Sequence, residues 1–248
     1  MVRPNARQGI GVNAGVFRFS DLPGLLAEYD FSVVSSITDA GGGAVSQVLD
    51  RSGNGHTLTQ PTGAQRPITG TRTVNGLNVL DFDGLSHNLL APAGLYGLSA
   101  GNNTTVIVFQ ADLAGNTTQR IVQGQDAGTG RYIAGITDTG AVGQNNAAGT
   151  GSVTEAWTKD AAVNTLCFTR NGSRVYVNIN GGAGTVSGSL GTSLTMTSLV
   201  IGAQSATLNR FDGRLCQIAF YSRALSDPEL NLVGSSMRLK WGSGWLSI

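Results

Sequence analysis

Apolar residues in this chain come in short runs that alternate with polar ones, and the runs are separated by glycine, asparagine and serine. A period of two puts every second side chain on one face of an extended strand, whereas a half-buried helix repeats its apolar residues at three and four. Runs of this kind are LLAEYDF from Leu25, AVSQVL, HTLTQ, NVLDFD, TTVIVFQ, RIVQG, RYIAGIT, TLCFTR, RVYVNIN, SLVIGA and GRLCQIAFY. Many of the 36 glycines lie between them, where turns need backbone angles that other residues resist. The pattern predicts an all-β fold of antiparallel strands closed as a sandwich or barrel.

Composition narrows the function classes. A hydrophobic content of 40% argues against disorder. Only 12% of residues are charged and the net charge is +1, so no basic stripe for nucleic acid is expected. No apolar run approaches the roughly 20 residues that cross a bilayer, so membrane insertion is not expected either. The opening stretch MVRPNARQGIGVNAG lacks the apolar core of a secretory signal. Residues 1–22 read as an extended N-terminal arm, and 23–248 as one domain. Cys167 and Cys216 fall in strand candidates and read as reduced thiols; sequence alone does not settle whether they pair.

The segment TLCFTRNGSRVYVNIN predicts a hairpin, with Asn171-Gly172 as its turn because both central positions of a type I′ turn need positive φ. That turn pairs Phe168 with Val175 and Leu166 with Val177. The opposite face then carries Cys167, Thr169, Arg174, Tyr176 and Asn178. Near the end, LSDPELNLVGSSMRLKWG predicts one short helix. Ser226 and Glu229 have the spacing of a capping box, and Leu230, Val233, Met237 and Trp241 share a face.

DRSGNGHTL with QRPI (Gln65 to Ile68) and VNGLNVLDFDG (Val74 to Gly84), together with FDGRLCQIAFYSRALSDPEL and RLKWG near the end, resemble bacterial and phage domains of the laminin G and concanavalin A type. The resemblance implies an antiparallel two-sheet jelly-roll sandwich with one short C-terminal helix. Hydrolases of that fold use clustered acids, one to protonate the leaving group and another to attack or activate water. This chain has three glutamates, Glu28, Glu155 and Glu229, and Glu28-Tyr29-Asp30 lacks the final acid of that cluster. The last strand carries Cys216 and Gln217 where acids often stand. The chain is therefore expected to be no enzyme and to have no catalytic residue.

The most ligand-like patch is Arg174, Tyr176 and Asn178 on the outward face of the hairpin, with Trp157 as a further candidate, because aromatic rings stack on sugars. Trp241 reads as core, and Trp245 as exposed or docked on a neighbour. Asp50, Ser52 and Asn54 sit at alternate positions before Gly55, as at the start of a calcium loop, so Asp50 and Asn54 are the residues a cation would use. Position twelve is Pro61, not the bidentate Glu, and the flanks alternate as strands. The loop therefore reads as a turn, with calcium not favoured and no cofactor expected. His56 reads as a solvated turn residue and His87 as a hydrogen-bonder at a strand edge.

These features lead to a non-enzymatic structural or adhesion protein: a bacteriophage virion surface component, either a capsid decoration or a fibre or tail adhesin. The alternative is a carbohydrate-binding module of a bacterial surface or secreted protein, and the third reading, a glycoside hydrolase or lyase, is weakened by the missing acids. Expected partners are other virion proteins or cell-surface glycans, with self-association as a homo-oligomer, a trimer among the forms. The expected location is the virion surface or, for the alternative, the extracellular space or bacterial cell surface.

Overall fold

The structure is a computed structural model and describes residues 17–114, 117–146, 152–182, 184–186, 194–204 and 208–248. In chain order the strands begin with β1 (Leu25–Asp30), β2 (Ile37–Asp39), β3 (Val45–Val48), β4 (Leu58–Thr59), β5 (Ile68–Val74) and β6 (Leu77–Asp83). Next come β7 (Leu89–Leu90), β8 (Asn103–Ala111), β9 (Thr118–Gln125), β10 (Arg131–Thr137), β11 (Gly140–Asn146) and β12 (Val153–Ala156). The chain continues through β13 (Val163–Asn171), β14 (Arg174–Ile179), β15 (Thr185–Val186), β16 (Ser198–Ile201) and β17 (Asp212–Tyr221), then helix α1 (Asp227–Trp241).

Two antiparallel sheets result. The first runs β15-β14-β13-β8-β17-β6-β5, with β1 also paired to β17. The second runs β12-β11-β10-β9-β16-β7-β4-β3-β2. Inward residues of both sheets form one core, in which Tyr132 meets Phe168 edge-on at 5.1 Å and Phe211 packs against both Phe82 and Phe109. Burial of such rings is the main favourable contribution to a sandwich.

A second apolar layer lies on the outer face of the first sheet. Val106, Val108, Cys167, Cys216, Ala219 and Tyr221 meet Leu230, Val233, Met237 and Trp241 of α1. The helix begins as its sequence predicts: Ser226 caps it, Glu229 reaches back to the Ser226 N–H at 2.8 Å, and Gly242 ends it in the left-handed region at φ 75°. The chain then turns back, and Trp245 is buried against Gly234, where an added Cβ would lie 2.0 Å from the indole. Trp245 thus docks on its own helix. Both cysteines are buried and unpaired, and burial pushes both thiols well above their usual range.

Residues 1–16 of the N-terminal arm lie outside the described residues. Phe19 packs against Tyr221, whose hydroxyl donates to the Phe19 carbonyl at 2.8 Å, so the end of that segment is seated on the sandwich. No helix among the described residues is long and apolar enough to cross a membrane.

One register differs from expectation. The hairpin pairs Phe168 with Val177, Leu166 with Ile179 and Asn171 with Arg174. Its central turn residues are therefore Gly172 and Ser173, and Gly172 alone has positive φ, at 61°. Glycine followed by a residue of ordinary φ suits a type II′ turn, which competes with the Asn-Gly type I′ turn. The shift moves pairing by two residues, so the same side chains stay on each face.

Replacing Gly234 with Ala should expel the Trp245 indole. The expected result is a red-shifted tryptophan emission, a lower Tm and faster proteolysis after Trp241, measured by fluorescence and limited digestion.

Candidate functional site

Tyr176 and Asn178 project from β14 onto the outer face of the first sheet, beside Cys167 and Thr169 of β13. Across from them runs the segment Ala224–Pro228 that leads into α1, with Ile248 beyond it. Together these line a groove of about 460 Å³. The second wall is pinned to the sheet because the Leu225 N–H donates to the Thr104 hydroxyl at 2.9 Å, and that hydroxyl lies 3.2 Å from Thr169 Oγ1. Tyr176 is 37% exposed, so its ring offers an accessible edge to the groove.

The predicted residues do not all converge here. The Asn178 amide is buried and engaged, donating to the Gly182 carbonyl at 2.9 Å and accepting from the Gly181 N–H at 2.9 Å. It holds the loop after β14. Arg174 is exposed at the hairpin end and outside the groove lining. Trp157 lies between the sheets, edge-on to Phe109 at 6.2 Å. Thr169 and Asn171 belong to the groove and were absent from the candidates. Alternation placed Thr169 on the right face, but a hydroxyl on a sheet gives no sequence signal of its own.

The Asp50 loop is a fold element. The Asp50 side chain is fully buried, and its carboxylate accepts from the backbone N–H groups of Glu28 at 3.0 Å, Ser52 at 2.8 Å and His56 at 3.0 Å. Asn54 Nδ2 donates to the Leu26 carbonyl at 2.9 Å. The carboxylate faces N–H donors, which repel a cation, and it fastens the loop to β1. His56 is correspondingly held, with Nδ1 2.9 Å from the Leu26 carbonyl, rather than solvated. His87 Nδ1 lies 3.3 Å from the Asp81 carbonyl.

The acidic pair of β1 is also engaged. Lys240 Nζ bonds Asp30 at 2.5 Å and the Gln217 side-chain oxygen at 3.1 Å. The Trp241 indole N–H donates to that same oxygen at 3.0 Å, and Gln217 Nε2 donates to Glu28 at 2.9 Å. Burial, followed by the nearby Asp30 charge, pushes the Glu28 carboxyl up. A neutral amide at residue 217 lets one side chain accept from helix donors and donate to Glu28; a carboxylate there could not donate. Glu155, at the open edge between the sheets, accepts from the Ile179 N–H at 2.9 Å, and burial raises its carboxyl to about 7.

The architecture of two antiparallel sheets defines the class of concanavalin A-like sandwiches. Residues 89–231 match the family described as the concanavalin A-like lectin/glucanases superfamily, and the chain belongs to that family. Solved structures with the same fold include domain 4 of the extracellular arabinanase AbnA from Geobacillus stearothermophilus, in complex with arabinotriose. It is 16% identical, with 82% of this chain and 94% of that chain covered and a TM-score of 0.58. The binding domain of botulinum neurotoxin DC, in complex with SialylT, is 10% identical over 90% of this chain and 55% of that chain, at a TM-score of 0.61. A Trypanosoma rangeli sialidase is 14% identical over 87% of this chain and 33% of its own, also at 0.61. No curated protein matches by sequence.

Asp50→Ala leaves buried N–H donors unpaired and should cost about 2–4 kcal/mol in urea unfolding. EDTA should leave the Tm of the parent unchanged, and a shift of several degrees would contradict the turn assignment. Glu155 titrates near 7 when folded and near 4.5 when unfolded. Stability from its neutral form is therefore complete below 4.5 and lost as pH rises through 7. Glu155→Gln should match the parent at pH 4 and exceed its stability at pH 8, by thermal unfolding at the two pH values.

Proposed function

We propose that this chain is a non-catalytic glycan-binding domain and that the groove beside Tyr176 is its binding site. The observation that carries this reading is the groove itself, where an exposed aromatic ring stands beside the hydroxyl of Thr169 and the amide of Asn171. Sugars present apolar C–H faces and a periphery of hydroxyls, which such a surface complements. Two of the proteins that share the fold are held with arabinotriose and SialylT, which supports the same direction. A binding rather than hydrolytic role is supported by the engagement of Glu28 and Asp30 under the helix, which leaves them no free acid–base partnership.

A virion surface is the setting proposed for this domain, as a capsid decoration or a fibre or tail adhesin, on the resemblance of its two ends to domains of phage structural proteins. Display on a bacterial surface or outside the cell is the second setting, and a homo-oligomer suits either.

A glycan array should retain the labelled chain. Tyr176→Ala should weaken the captured interaction at least tenfold, about 1.4 kcal/mol, while leaving the Tm within a degree or two. Absence of binding at millimolar sugar, or binding indifferent to Tyr176→Ala, would overturn the reading. Co-sedimentation with phage particles tests the setting: a strict monomer without affinity for particles overturns the virion assignment and leaves glycan binding standing.

A further inference from the structure

The groove beside Tyr176 carries charge at one place. Among the described residues that line it, only Asp227 has a charged side chain. Asp227 is exposed in the first turn of α1, and no hydrogen bond or ion pair among the described residues engages its carboxylate. Glu229, the other acid of that turn, is committed: it holds Arg223 at 2.6 Å and accepts from the Ser226 N–H at 2.8 Å. Arg174 lies outside the lining, so no cation of the groove wall offsets Asp227.

A helix N-terminus ordinarily favours an anion, through its free N–H groups and its dipole. Here those donors are largely spent. The Leu225 N–H goes to the Thr104 hydroxyl at 2.9 Å, the Ser226 N–H goes to Glu229, and Pro228 has none to give. Two acids, Asp227 and Glu229, stand in the first turn and offset the dipole. An anionic ligand would therefore meet a carboxylate and few donors. A cationic one would meet Asp227 on one wall and the exposed Tyr176 ring on the other. Carboxylates and aromatic faces both attract a cation, each by a factor of a few at an exposed site.

We propose that the ligand of this groove is an amine-bearing sugar and that Asp227 is the residue that selects it. The inference rests on the reading of the groove as a glycan site and names the class of glycan. The ring of the sugar meets Tyr176, its hydroxyls meet Thr169 and Asn171, and its ammonium meets Asp227. An ammonium has three donors and no acceptor, and a carboxylate only accepts, so the two are matched in hydrogen bonding as well as in charge. A hydroxyl in place of the amine keeps one hydrogen bond and loses the attraction between charges. A carboxylated sugar replaces that attraction with repulsion.

Calorimetric titration of the whole chain tests this, with glucosamine, glucose and glucuronate as the added molecules, at low salt and about pH 6, below the usual range of an amino group. Glucosamine should bind roughly fivefold more tightly than glucose, and glucuronate more weakly than glucose. Asp227→Asn should bring glucosamine down to the affinity of glucose and leave glucose unchanged, while Tyr176→Ala weakens both. Salt at about 0.5 M should narrow the preference of the parent, because the charge pair is exposed. Asp227→Asn keeps the contact between Ser226 and Glu229, so its Tm should stay within a degree or two of the parent. Equal affinity of the parent for glucosamine and glucose, tighter binding of glucuronate, or an undiminished preference in Asp227→Asn would overturn the amine assignment and leave the groove standing as a glycan site. Failure of all three sugars to bind at millimolar concentration would overturn both readings.

Discussion

The fold depends on the hydrogen bonding of β17. This strand is bonded to β8 along one edge and, along the other, to β6 over Asp212–Leu215 and then to β1 over Gln217–Tyr221. It therefore joins the first strand of the sandwich, its centre and the strand that leads into the helix. The register shift between Leu215 and Gln217 puts one extra residue into β17. A bulge bends its strand and re-aims the side chains that follow. Here it directs Gln217 to the outer face, where it meets Lys240, Trp241 and Glu28. Helix docking and strand pairing are thus coupled through one amide.

That docking decides which surfaces remain for binding. The helix and the returning tail cover the middle of the first sheet, and the tail is held by the Gly244 N–H to the Val163 carbonyl at 3.1 Å and the Leu246 N–H to the Asn180 carbonyl at 2.7 Å. The groove at β13 and β14 is the margin that the helix leaves open, and its second wall exists because the chain must enter the helix there. The groove is therefore a consequence of the cap at Ser226 as much as of Tyr176.

Much of this was legible in the sequence. Strong alternation marked β8, β13, β14 and β17, and the capping box marked α1, because these patterns follow from local geometry. The strands that escaped notice have weak patterns of their own. In β5, Gly70 takes a φ of 79° and the pairing shifts between Thr69 and Thr73, so its periodicity is broken. In β11, GAVGQNN offers little apolar surface, and Gly143 is required because a Cβ there would strike Val177 and Phe168. The site was legible only in part. Tyr176 lay on a face that alternation predicted, whereas the wall at Ala224–Pro228 arises from a contact between segments far apart in sequence. The engagement of Asn178 and the burial of Trp157 are likewise tertiary facts.

The carboxylates of this chain fasten its segments to one another. Asp50 is surrounded by backbone N–H groups, Asp30 holds Lys240, Glu229 holds Arg223 at 2.6 Å and Asp112 holds Arg72 through two bonds of 2.6 Å. The three ion pairs are only partly desolvated, so each contributes modestly and at low cost, whereas Asp50 is fully buried and the loop it fastens depends on it more strongly.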